Sequence, residues 1–141
     1  MQATKKKGKG ELILENRGKL VTVTVKEISQ TGITLEYNSQ DQWTGKVNGR
    51  GNSTTTVRLK TDNTAEWESK GVAATNEGDF IAVWGSGTGK NTSPTTQTWE
   101  GELHFMGQSP KLSWLNTTTG WVEGTGDQVK GESHVKVFQK K

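Results

Sequence analysis

Short runs in which apolar and polar residues alternate cover most of this chain, and turn residues separate them. No segment carries an apolar stripe at helical spacing, so the pattern predicts strands throughout. Leu12–Leu14 and Leu20–Val25 open the series, and Ile33–Tyr37 follows a turn signal at Thr31-Gly32. Trp43–Gly49 and Ser53–Lys60 read as neighbours around Arg50-Gly51-Asn52, with a turn at Thr61-Asp62-Asn63 after them. Thr64–Thr75 has Ala65, Trp67, Ser69, Gly71, Ala73 and Thr75 on one parity and Glu66, Glu68 and Lys70 on the other. Charges on one side and small or aromatic groups on the other describe a half-buried strand. A tight connection at Asn76–Asp79 leads into Phe80–Trp84, which runs on toward Gly85, Gly87 and Gly89. Thr98–Met106 repeats the theme, with Trp99, Gly101, Leu103 and Phe105 facing one way and Glu100, Glu102 and His104 the other. Leu112–Asn116, Trp121–Thr125 and Ser133–Phe138 complete the series.

Some eight to ten short strands with few long connections indicate a sandwich or a closed barrel. Glycine inside the strands favours the barrel, because it weakens a flat strand yet permits the coiling that closure needs. The expected fold is therefore all-β: a single antiparallel barrel of about eight strands. The chain has 141 residues, of which 28% are hydrophobic. That length fits one domain, and a small barrel suits so thin an apolar supply because its interior needs few side chains to fill it. The barrel is expected over residues 11–141, after a basic flexible tail at residues 1–10.

Charge and composition narrow the chemistry. Much of the net charge of +3 traces to Lys5, Lys6, Lys7 and Lys9, so the body is close to neutral. A basic tail attracts phosphates, but no row of aromatics alternates with Lys or Arg, and no specific nucleic-acid partner is expected. The absence of Cys excludes disulfides, thiolate metal sites and cysteine nucleophiles. No apolar run reaches the roughly 18 residues a membrane helix needs. No secretory leader is recognisable, and a cytoplasmic location is expected. The chain has no H-E-x-x-H or G-x-S-x-G motif, and Gly85–Lys90 lacks phosphate-loop spacing. His104 and His134 share no ligand spacing, and Glu100, Glu102 and His104 read as a solvated outer face. No metal or cofactor is expected.

The segment Thr98-Trp99-Glu100-Gly101-Glu102-Leu103-His104-Phe105, then Ser109–Asn116, then Gly120-Trp121-Val122-Glu123-Gly124, resembles small uncharacterised microbial proteins with the allene oxide cyclase-like barrel. The resemblance covers roughly residues 42 to 138. It implies an allene oxide cyclase-like barrel whose lumen holds a small, largely apolar molecule, in a protein that forms homo-oligomers. A second resemblance, weaker at the front of the chain, is to avidin-type barrels. Thr95–Gly101, Trp114-Leu115, Gly126-Asp127 and the terminal strand with Phe138 carry it, but Leu12–Val25 lacks a Trp. It implies a biotin binder.

Six Trp stand at positions 43, 67, 84, 99, 114 and 121. Trp67, Trp99 and Trp121 share parity with small or apolar residues and are expected to point inward, as core filler or as a ligand wall. Glu123 shares parity with Trp121 and Thr125. If that side is the lumen, a carboxylate sits among aromatics and is the candidate proton-transfer group; otherwise it is solvated or paired with a Lys. Asn116 is either a polar contact for a ligand or a turn-forming residue before Thr117. Ser69 and Thr75 present hydroxyls inward or make room for neighbouring rings. Four functions follow: binding a small apolar molecule in the lumen, an isomerase or cyclase acting there, a biotin binder, or a structural oligomer with a filled barrel.

Overall fold

Thr and Val give the chain its strand preference, and every strand finds a partner next in sequence. The computed structural model describes residues 9–141. Its strands are β1 (Lys9–Ser29), β2 (Gly32–Gly45), β3 (Gly49–Lys60), β4 (Thr64–Thr75), β5 (Phe80–Asn91), β6 (Thr96–Gly107), β7 (Thr119–Asp127) and β8 (Glu132–Lys140). Each pairs antiparallel with the next, and β8 pairs with β1 to close the barrel. The expected tail lies outside the described residues as far as Gly8, whereas Lys9 and Gly10 already belong to β1.

Local boundaries depart from the sequence pattern at three places. Leu12–Leu14 and Leu20–Val25 are parts of one continuous strand, bent by register shifts at Leu20/Thr22 and Val25/Glu27. The turn after Trp43 comes before Arg50, because Gly45 adopts φ +133° and Asn48 closes the loop on it. The Asn48 Oδ1 accepts from Gly45 N at 3.2 Å, and its Nδ2 donates to Gly45 O at 3.0 Å. Arg50–Asn52 then pair within β3. Leu112–Asn116, expected as a strand, lie in a 3₁₀ helix, Pro110–Thr117. Pro110 sits in its first turn, where a missing N–H costs nothing.

An up-and-down barrel puts alternate connections at opposite ends. The 3₁₀ helix joins β6 to β7 and plugs one end. Its Leu112 and Leu115, three residues apart, are buried and join Ile13, Val47, Ala73, Ile81, Phe105 and Val137 in the core. The other end carries the β1–β2, β3–β4, β5–β6 and β7–β8 turns. There β1 outruns β8: it pairs with β8 only as far as Lys19, and Thr22–Ser29 pairs with β2 alone. Val21, Val23, Val25 and Ile28 of that overhang are exposed.

The glycines face inward as slots for indole rings. Trp67 is 7% exposed and lies across Gly87 and Gly101, where an added Cβ would stand 2.8 and 2.7 Å from its Cζ2. The Trp67 Nε1 donates to the carbonyls of Thr88 and Glu100, 3.2 Å from each. Trp99 covers Gly124 and Gly126 in the same way. Burying one such ring removes roughly 200 Å² from water, worth about 5 kcal/mol as an upper bound. Few side chains thus hold the barrel together.

Candidate functional site

Above the plug the lumen stays open. A cavity of about 300 Å³ runs from Trp43 and Phe105 to the mouth at Asn91, Pro94, Gln97 and Gln128. Val57, Trp67, Val83, Trp99, Leu103 and Val135 make its apolar wall. Its polar side is a band on neighbouring strands: Asn16 of β1, Ser39 and Asp41 of β2, Ser53 and Thr55 of β3, Ser69 of β4 and Ser133 of β8. The β7–β8 turn reaches over the mouth, where Gln128 donates to the hydroxyl of Tyr37.

Asp41 is the charged group built into this wall. It is 9% exposed, and the Asn16 Nδ2 donates to its Oδ1 at 3.1 Å. Its partners across the strands are Gly18 and Gly51, which leave the carboxylate room. A Cβ at Gly18 would stand 3.2 Å from its Oδ1. Burial pushes the Asp41 pKa up, and the Ser53 hydroxyl and Asn16 amide pull it partly back. The Asn16 Oδ1 is buried and has no hydrogen-bond partner. A cavity lined by rings, with one buried carboxylate and one unpaired acceptor in its wall, can hold and orient a small molecule that brings a donor.

The sequence-predicted residues divide between the two faces. Trp67, Ser69 and Trp99 line the cavity. The Ser69 hydroxyl shares a hydrogen bond of 2.9 Å with Thr55, so it is part of a polar row rather than mere space for a ring. Trp121 and Glu123 are not in the lumen. The inward residues of β7 are Val122 and the glycines flanking it, and Trp121 and Glu123 take the outer face. Glu123 there accepts from the Lys9 Nζ at 2.9 Å and is about half exposed. Their expected placement is corrected for a steric reason: a side chain at Gly124 would overlap Trp99. Asn116 is also spent on structure, since its Oδ1 accepts from Gly107 N at 2.7 Å and its Nδ2 donates to Gly107 O at 3.3 Å. His104 packs outside against Trp84, ring centroids 5.8 Å apart. Among the described residues, no group of three or more His, Asp or Glu is placed to hold a metal, and no helix is long and apolar enough to cross a membrane.

Fold and cavity together define a closed eight-stranded β-barrel with a lumen open at one end. No protein-family model matches the chain, and no curated protein matches it by sequence. Solved structures do share its fold. A conserved protein of unknown function from Rhodopseudomonas palustris superposes with a TM-score of 0.80 at 14% identity, over 93% of this chain and 96% of that one. A β-barrel-like protein from Acinetobacter baumannii gives 0.74 at 16% identity, over 93% and 94% of the two chains. An enzyme from Penicillium herquei gives 0.67 at 18% identity, over 94% and 96%. At these identities the likeness carries the barrel and nothing finer.

Proposed function

We propose that this protein binds one small, largely apolar molecule in the barrel lumen. The observation that carries the reading is the open cavity of about 300 Å³ between the plugged end and the mouth. A barrel serving only as a scaffold has no use for such a space, since filling it with side chains would add dispersion contacts and stability. The ring-bearing wall supplies the attraction, and the band around Asp41 orients the guest.

A second reading is an isomerase or cyclase acting on the same guest. Asp41 supports it, because it is a carboxyl in the lumen wall whose pKa burial raises, the direction that favours general acid–base work. In that reading Asp41 takes the role the sequence pattern offered to Glu123.

Intrinsic tryptophan fluorescence, titrated with a panel of lipophilic compounds that includes biotin, tests luminal binding. Saturable changes are expected for at least one compound. They should vanish in Ser69→Phe, which fills the cavity, and persist in Glu123→Gln, which alters only the outer face. A flat response across the panel would end the reading.

A further inference from the structure

Binding in the lumen leaves open which head group the guest carries, and the charges around Asp41 bear on this. Asp41 is nine-tenths buried, yet among the described residues no Lys, Arg or His pairs with it. Its neighbours are a neutral amide, Asn16, and a hydroxyl, Ser53. The other charged residues of the lining are Lys90, Asp127 and Glu132, all next to turns of the mouth. A buried carboxylate without a counter-ion is costly, and that cost falls when a cation arrives. Beside it the Asn16 Oδ1, also buried, accepts from nothing. Two adjacent acceptors, one of them anionic, describe a receptor for a group that only donates. The lining adds the rings of Trp43, Trp67 and Trp99, whose faces attract cations.

Resting on the luminal-binding reading above, we propose that the guest is a compact apolar molecule carrying one ammonium group, seated against Asp41 and the adjoining Asn16. A primary ammonium brings three donors and the missing positive charge. A hydroxyl brings one donor and no charge. A carboxylate brings neither and meets Asp41 with like charge, so the lumen rejects anionic amphiphiles.

One rigid skeleton with three head groups tests this: 1-adamantanamine, 1-adamantanol and 1-adamantanecarboxylate, titrated by calorimetry into the unmodified protein near neutral pH. The amine should bind at least about tenfold tighter than the alcohol, and the carboxylate weaker than both. In Asp41→Asn, the amine's advantage over the alcohol should disappear. An alcohol or carboxylate that equals the amine in the unmodified protein overturns the proposal but leaves luminal binding intact. So does an amine preference that survives Asp41→Asn. Failure of all three to bind overturns the proposal and counts against luminal binding as well. The comparison within the unmodified protein stands even if the variant does not fold.

Discussion

At the scale of single residues, two carboxylates exchange the parts that their sequence surroundings suggest. Glu123 lies between Val122 and Gly124, two residues after Trp121 in a clear alternating run, yet it takes the outer face and meets Lys9. Such a partly exposed surface pair contributes about 0–1 kcal/mol. Asp41 lies in Asn38-Ser39-Gln40-Asp41-Gln42, a polar stretch with the composition of a turn, and it ends up in the wall of the lumen. No local signal marks it, because a polar residue facing a cavity and one facing solvent leave the same trace. Burial sets the Asp41 pKa above the ordinary aspartate value of 3.8. The folded state therefore holds this proton more tightly than the unfolded chain. Stability is unpenalised below the unfolded value and is lost as pH rises through the folded one. Asp41→Asn removes that penalty at every pH. Urea unfolding of both proteins should show the variant gaining on the parent between about pH 3 and about pH 7. An equal difference at both would mean that the carboxyl is not held in a dry wall.

At the scale of elements, parity alone decided most faces correctly. In β4 and β6 the ring-bearing parity faces inward and the acidic one outward, as alternation predicts. β7 reverses the rule, because the barrel has room for only one layer of rings at that height. Trp99 of β6 fills it, and β7 can offer only glycine beneath the indole. The signal was present in the Gly120, Gly124 and Gly126 series, but it is legible only once the neighbouring strand is known. The 3₁₀ helix hides in the sequence for a related reason. Leu112 and Trp114 mimic a two-residue period, whereas the buried pair is Leu112 and Leu115 and Trp114 stays exposed. The β7 account predicts that Gly124→Ala, an ordinarily harmless change on an extended strand, lowers stability by about 1–3 kcal/mol by overpacking against Trp99. Chemical denaturation measures it, and a change within about 0.5 kcal/mol would mean that the slot is not tight.

For the whole molecule, the fold class is legible because seven local pairings in sequence order leave few alternatives for the eighth, β8 with β1. Turn signals, alternation and interior glycine all point to a closed up-and-down sheet, and the structure is one. The lumen was less legible. Whether a barrel is filled or hollow depends on how rings from different strands share one interior, and no strand records that alone. Trp67 and Trp99 lean into their glycine slots and leave the centre free. Luminal binding therefore requires an interior that admits a guest, and the six indole N–H groups can report this one by one. In a heteronuclear NMR titration with 1-adamantanamine, assigned through single Trp→Phe variants, the Trp67 and Trp99 signals should shift saturably while those of Trp84, Trp114 and Trp121 stay in place. Shifts confined to those three, or six unmoved signals at millimolar guest, would contradict it.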